Sequence, residues 1–392
     1  MKVSFITLGC KINQFYTDCI RQKYIDNGDE IVPLREHPDI AYLNTCSVTT
    51  HAGSESRKLY RRAKKYANEV RLMGCHAKLF PEEFEENYFI DEFGLIEEYS
   101  NPDQNRSRSY LPIQSGCNNF CTYCIVPYAR GENYSLPISK VIQNIEERID
   151  AGYPEVILTG IHIGSYKYKN IGLKGLLKEL LKYNTRIRLS SIKPGCVDKE
   201  FLELFNNKNL MPYLHLSQQS GSDSILKRMG RKYTKEKTLW ISRELSQIGE
   251  EVRLAGDFIV GFPGEGKEEF HDTVNLIKEA NFTHLHIFRY SKRPYTLASL
   301  FPDQVQDSIK KERAEVLKSL WKKQRARFIQ EQIGKIYRVV IEKKSPLGKD
   351  WQTGMTPNYI RVHFHHNSKK ENVLPIRIKD FKEGRVYGEI EE

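Results

Sequence analysis

The sequence predicts an α/β protein of three units: an N-terminal open α/β sheet domain, a partial (β/α) TIM-like barrel, and a C-terminal small antiparallel β-barrel. Three observations carry this. Apolar runs that end in cysteine alternate with helical stretches over residues 1–100. Strand-like and amphipathic segments alternate through residues 101–333, as repeated β/α units do. Over residues 334–392 the segments turn short, alternating and β-rich, bounded by Gly, Pro and Asn.

In the first unit the strands are VSFITLGC, IAYLNTC and VRLMGC, with the helical SESRKLYRRAKKYANE between the last two. Apolar runs separated by helices imply parallel pairing. Open α/β sheets bind ligands beyond the carboxyl ends of their strands, so Cys10, Cys46 and Cys75 are expected to meet at that edge. EEYSNPDQNRSRS reads as a linker.

Barrel strands are expected at SYLPIQ, EVILTG, RIRLSS, YLHLSQ, VRLAGDFIVG and HLHIFRYS, with amphipathic helices between them. The loop after SYLPIQ then lies on the carboxyl-end face, where barrels of this kind carry chemistry. KIYRVVIEKK, NYIRVHFHH, VLPIRIKDF and RVYGEIEE are the strands of the last unit. Arg, His and Tyr interleaved on such strands suit RNA binding, with a stability cap as the plainer alternative. His363 and His365 share one strand face by alternation, which favours RNA contact or plain surface over metal ligation.

Of 392 residues, 39% are hydrophobic and 28% charged, enough apolar content for a sizeable core. The net charge of +11 favours a polyanionic partner, nucleic acid first. Basic residues cluster in SRKLYRRAKK and KKERAEVLKSLWKKQRARF, the second also carrying Trp321 and Phe328. No run of about 18 apolar residues exists, and MKVSFITLGC lacks the core and cleavage site of a signal peptide. A cytoplasmic monomer with reduced thiols and no membrane partner is expected.

Eight cysteines then read as metal ligands, reactive thiols or buried small hydrophobes. QSGCNNFCTYCIVPYARGE packs Cys117, Cys121 and Cys124 into a C-x3-C-x2-C run with no fourth cysteine nearby. A fully ligated [4Fe–4S] cluster takes four cysteines; three leave one iron open to a substrate. Zinc is the competing reading, although zinc sites prefer paired knuckles. Cys19 and Cys196 fall outside these groups and read as packing thiols.

The C-x3-C-x2-C spacing with Tyr123 before its last cysteine resembles the radical S-adenosylmethionine (SAM) enzymes. The resemblance implies that SAM chelates the open iron and is cleaved to a 5′-deoxyadenosyl radical. LTGIHIGSY, SSIKPG, HLSQQSGSD and RLAGDFIVGFPGE then fall where that superfamily lines its SAM pocket. Gly160, Gln219, Arg253 and Asp257 are the pocket residues the resemblance suggests, beside Tyr123.

TLGCKINQ, NTCSVT, GCHAK, CTYCIVPYARG, LTGIHIGSY, QSGSDSILKRMGRKYT and IVGFPGE together resemble the methylthiotransferase family along essentially the whole chain. That implies a radical-SAM core in the middle, a C-terminal RNA-binding TRAM domain, and a second [4Fe–4S] cluster on Cys10, Cys46 and Cys75. TLGCKINQ with NTCSVT is similar to the branch acting on N6-threonylcarbamoyladenosine at tRNA position 37. The expected enzyme uses two [4Fe–4S] clusters and two SAM molecules to methylthiolate C2 of that base in the anticodon stem-loop. The electron and sulfur donors are not legible. Isopentenyladenosine tRNA, a ribosomal-protein aspartate, or a non-catalytic iron–sulfur RNA-binding role are the alternatives. Two features depart from the family: the stretch from Cys75 to Cys117 is short, implying a trimmed N-terminal sheet, and Gln218 stands where leucine is usual.

Overall fold

The computed structural model describes residues 1–86, 102, 106–249, 252–348, 350–366 and 372–391; most of the expected linker lies outside them. The chain opens with four parallel strands, β1 (Lys2–Thr7), β2 (Glu30–Ile31), β3 (Ile40–Thr45) and β4 (Glu69–Gly74), in the order β2-β1-β3-β4. Three of them feed helices: α1 (Lys11–Asp26), α2 (Thr50–Tyr66) and α3 (Cys75–Leu79). In α1, Ile12, Phe15, Tyr16, Cys19 and Ile20 recur at the spacing of one helical face and all are buried. That face joins the core of the second unit rather than a core of its own.

The second unit is a six-stranded partial barrel. Its parallel strands are β5 (Ser109–Ser115), β7 (Glu155–Gly160), β10 (Arg186–Leu189), β11 (Tyr213–Gln219), β12 (Arg253–Val260) and β13 (His284–Arg289). Minor strands are β6 (Tyr134–Ser135), antiparallel to β5, and the hairpin β8 (Lys167–Tyr168) with β9 (Ile171–Gly172). The seam between β10 and β11 is held by bridges Ile187–Leu210 and Ile192–Leu216. Among the described residues no ladder joins β13 back to β5. The N-terminal unit contacts both edges of that gap. Tyr16 Oη lies 3.4 Å from Ser115 Oγ at one side, and the Arg293 guanidinium donates to Ser47 Oγ (2.8 Å) at the other.

Leu111, Val156, Leu158, Ile187, Leu214 and Leu285 pack in the core under the helices. Alternation along each strand therefore turns Glu155, Arg188, Tyr213, His215, Asp257 and His286 into the lumen. Gln218, the departure from leucine, is fully buried; its amide donates to Ser220 O (2.8 Å) and accepts from Thr238. Both ends of the amide are thus satisfied, so burial costs little.

The third unit is a closed barrel of β14 (Ile336–Lys344), β15 (Trp351–Met355), β16 (Arg361–His365), β17 (Val373–Lys382) and β18 (Arg385–Ile390), ordered β14-β15-β16-β18-β17. Tyr337, Val339, Val362, Phe364 and Ile376 fill it. β15 is an addition to the expected strands, and β16 pairs with β18 in parallel while the other four pairings are antiparallel. His363 is buried and bonded to Ser345 Oγ (2.7 Å), whereas His365 is exposed.

On the basic helix Asp307–Gln330 the aromatics turn inward. Trp321 donates to Thr283 O (3.2 Å) and Phe328 is buried, so both serve packing. Lys311, Lys318, Lys322, Lys323 and Arg327 remain exposed. Among the described residues, no helix is long and apolar enough to cross a membrane.

Candidate functional site

Each cysteine of the first set stands at the carboxyl end of a strand. Cys10 precedes α1, Cys46 follows β3 directly, and Cys75 opens α3. Gly74 makes the last of these possible. Its φ is +88°, and a Cβ there would come within 2.4 Å of Thr45 O and 2.3 Å of Asn44 Oδ1. Only glycine allows the chain to leave β4 so close to β3. The neighbouring loops are pinned by side chains: Asn13 donates to Leu8 O (2.8 Å) and Thr45 O (3.0 Å), and Ser56 Oγ bonds both N and O of Cys46 (3.2 Å each).

The second set lies on the loop after β5. Gly116, at φ +69°, turns the chain against Glu132 O, where a Cβ would overlap the carbonyl. Cys117 N then bonds Gly131 O (3.0 Å) and Cys124 N bonds Cys121 O (2.9 Å), folding the loop around its three thiols. None of the eight cysteines is in a disulfide.

Arg130, six residues past Cys124, joins the two sets. It is 2% exposed. Its Nε donates to Cys75 Sγ (3.2 Å), another guanidinium nitrogen donates to Asn13 Oδ1, and its plane lies 5.4 Å from the Tyr16 ring. Burial pushes the Cys75 thiol up, and the Arg130 charge opposes that push. Burial likewise raises Cys46, and raises Cys124 to about 11. Buried thiols held as neutral acids in this way ionise when a cationic metal centre binds them.

A cavity of about 270 Å³ opens beside Cys124, lined by Tyr123, Gln219, Arg231, Asp257, Phe288 and Tyr290 among others. Three of the expected pocket residues, Tyr123, Gln219 and Asp257, come together here. Gly160 does not line it; it lies at the end of β7, where Gln114 Oε1 would sit 2.8 Å from its Cβ and accepts from His162 N (2.7 Å). Arg253 is a correction. It begins β12, at the opposite end from Val260, with its guanidinium 4.3 Å from the Phe328 ring. The sequence marks the strand but not which end an arginine at its first position occupies.

Arg231 was not anticipated. It donates to Tyr123 Oη, and among the described residues its buried Nε and Nη1 have no hydrogen-bond partner. Orphaned guanidinium donors beside Cys124 and a cavity fit an anionic cluster or a carboxylate ligand. Conserving that pairing chemistry in the sequence would have required knowing that RMGRKY folds back onto the cysteine loop, which Thr122 N to Met229 O (3.2 Å) brings about. In the lumen below, Asp257 Oδ1 accepts from His215 Nε2 (2.8 Å) and His286 Nδ1 (3.0 Å). Burial opposes ionisation of Asp257, yet the two imidazoles hold its carboxyl well below the usual range. Lys11, beside Cys10, is driven down to about 8 by burial and by the charges of Arg108 and Arg188.

Residues 111–277 match the radical SAM superfamily, and residues 2–93 match a family described as uncharacterized protein family UPF0004. The threonylcarbamoyladenosine tRNA methylthiotransferase MtaB of Aquifex aeolicus is 34% identical, over 92% of this chain and 96% of that protein. The tRNA-2-methylthio-N(6)-dimethylallyladenosine synthase of Fusobacterium nucleatum is 31% identical over 99% of each chain. The radical SAM methyltransferase TsrM from Kitasatospora setae, solved with cobalamin and a [4Fe–4S] cluster, superposes with a TM-score of 0.57 over 76% of this chain and 77% of that one. At 15% identity that last likeness concerns the fold alone. Two sets of three cysteines beyond strand ends, on a chain so related over 92% of its length, place it among the radical SAM methylthiotransferases of the MtaB type.

Proposed function

We propose that this radical SAM enzyme methylthiolates C2 of N6-threonylcarbamoyladenosine in the anticodon stem-loop of tRNA, with two [4Fe–4S] clusters and two SAM molecules. The observation that carries the reading is the Arg130 bridge, which holds the Cys75 thiol against the element that follows Cys124. Two triads that must act on one base need such a shared wall. In this reading Cys117, Cys121 and Cys124 hold the cluster that binds SAM, and Cys10, Cys46 and Cys75 hold the second. When bound, these groups supply SAM cleavage to an adenosyl radical and a sulfur carrying a methyl group.

The chain's own work is binding, orientation and exclusion of water. Tyr123, Gln219, Asp257 and Arg231 line the cavity that would take SAM, with the Arg231 guanidinium facing carboxylate or cluster. No protein base is required, because the C2 hydrogen leaves as an atom. The exposed lysines of helix Asp307–Gln330 and the closed barrel supply phosphate contacts.

The test uses anaerobically reconstituted full-length protein with SAM, a reductant, a sulfide source and tRNA lacking the methylthio group. Digested nucleosides are read by mass spectrometry. A methylthio mass on threonylcarbamoyladenosine alone is expected. The same mass on dimethylallyladenosine would overturn the substrate, and absence of both with no SAM cleavage would overturn the reaction.

A further inference from the structure

We propose that Tyr295, with Tyr128 and Phe120 beside it, forms a stacking rim at the mouth between the two cysteine sets, and that Tyr295 takes an unpaired base of the tRNA anticodon loop next to the base that is modified. The proposal rests on the tRNA reading above and adds the side chains that hold the loop open around the target.

Tyr295 lies in the loop that follows β13, at a φ of +65°. That left-handed conformation suits glycine and strains a bulky L-residue, and such strain persists only where the surroundings impose it. The constraint comes from three sides. Two residues earlier, the Arg293 guanidinium donates to Ser47 Oγ (2.8 Å), next to Cys46. Three residues later, Ala298 N donates to Thr122 O (2.8 Å), inside the second cysteine loop. The Tyr295 ring itself stacks on Phe80 at 6.0 Å, just past the helix that Cys75 opens. The loop is thus fastened to both cysteine sets, yet Tyr295 stays 60% exposed at their junction.

The ring does not stand alone. Tyr128, on the helix Val126–Arg130, lies 6.3 Å from Tyr295, and Phe120, directly before Cys121, lies 5.8 Å from Tyr128. Both are exposed. Packing alone would bury these rings; exposed and in contact, they form a patch that fits a partner. Position and charge say which. A base brought between the two cysteine sets has its neighbours one phosphodiester away, at this mouth. The cavity beside Cys124 is itself lined by Tyr290 and Ser291, which lead into the same loop. Unpaired loop bases are recognised by stacking on aromatic faces. Lys78 and Lys292, exposed on the segments that carry Phe80 and Tyr295, offer cations to the intervening phosphates, in keeping with a net charge of +11.

The experiment uses the reconstituted full-length enzyme and a threonylcarbamoyladenosine stem-loop in three forms: intact, and with an abasic sugar at the position before or after the target base. Dissociation constants are read by fluorescence anisotropy, and methylthio mass is read on the digested nucleosides. Wild-type enzyme is expected to bind one abasic form at least about 5-fold more weakly than the intact loop, the lower bound for one base stacked on one aromatic ring. Tyr295→Gly suits the backbone, so it removes the ring without straining the fold. With wild-type iron content it should bind the intact loop as weakly as wild type binds that abasic form, no longer distinguish the two, and lose rate through KM rather than kcat. Tyr295→Phe should behave as wild type. A wild type indifferent to both abasic forms overturns the rim, as does a Tyr295→Gly enzyme that still tells them apart. A Tyr295→Gly enzyme that binds every loop as wild type does, and loses rate only when a protein reductant replaces a chemical one, overturns it in favour of a docking site for the electron donor. If wild type adds methylthio mass only to a dimethylallyladenosine loop, the substrate reading fails; the abasic comparison, repeated on that loop, still decides the rim.

Discussion

Arg130, on the helix that follows the second cysteine set, reaches across to the first. Its charge lies 3.2 Å from Cys75 Sγ, and an N–H donor to a thiolate ligand draws electron density from the metal centre it serves. If Cys10, Cys46 and Cys75 hold the proposed second cluster, Arg130→Gln should therefore shift its reduction midpoint to more negative potential, leaving the midpoint of the cluster proposed on Cys117, Cys121 and Cys124 in place. EPR-monitored titration separates the two signals; an unmoved midpoint would mean that the guanidinium does not bear on the cluster. The cysteines divide more simply. Cys117→Ala should abolish SAM cleavage, whereas Cys46→Ala should spare cleavage and stop methylthiolation. Release of 5′-deoxyadenosine, followed alongside nucleoside mass, checks both, and a Cys46→Ala enzyme that still thiolates sinks the assignment of the second set.

At the scale of elements, the turns that carry the cysteines are as specific as the cysteines. Gly74→Ala puts a Cβ within 2.4 Å of Thr45 O at a φ of +88°, so either the β4–α3 turn or the β3 end must move. On the two-cluster proposal, iron content should fall by about half, from roughly eight to four atoms per chain. SAM cleavage at the barrel loop continues. Full iron in this variant would show that the turn tolerates the shift. These elements were legible because their signals are local: an apolar run, a glycine, a cysteine, then a helix. The six barrel strands were legible for the same reason, since buried parallel strands read as apolar runs. β15 escaped because WQTGM is short, polar and interrupted by glycine, and becomes a strand only between β14 and β16. Arg231 and Arg130 escaped for another reason. Their partners are remote in sequence, so nothing near them marks a role.

At the scale of the molecule, the question is what keeps the C-terminal barrel seated under the lumen. Arg188 gives the answer through Glu155. That carboxylate is fully buried and takes Arg188 Nε and Nη2 in two bonds, and the same Nη2 also donates to Thr356 O (3.3 Å) and Pro357 O (3.0 Å) of the C-terminal unit. Tyr359 stacks on Tyr213 at 4.4 Å beside it, and Arg108 reaches Glu342 across the same junction. Glu155→Gln leaves Arg188 buried and uncompensated, which costs about 3–5 kcal/mol by comparison with other broken buried pairs. Burial alone would raise the Glu155 carboxyl, but Arg188 overrides it and holds the folded value below the ordinary one. A carboxyl lowered on folding stabilises above its unfolded pKa, and that stability is lost as pH falls through the lowered folded value. Wild-type chain should accordingly lose stability on acidification more steeply than Glu155→Gln, which starts lower at neutral pH but lacks this dependence. Denaturant midpoints taken at neutral and acid pH measure the difference, and hydrogen exchange locates it. Exchange should rise first at the junction around Tyr213 and Tyr359 in the variant; parallel acid profiles for the two chains would instead mean that the C-terminal barrel is held by its apolar contacts alone.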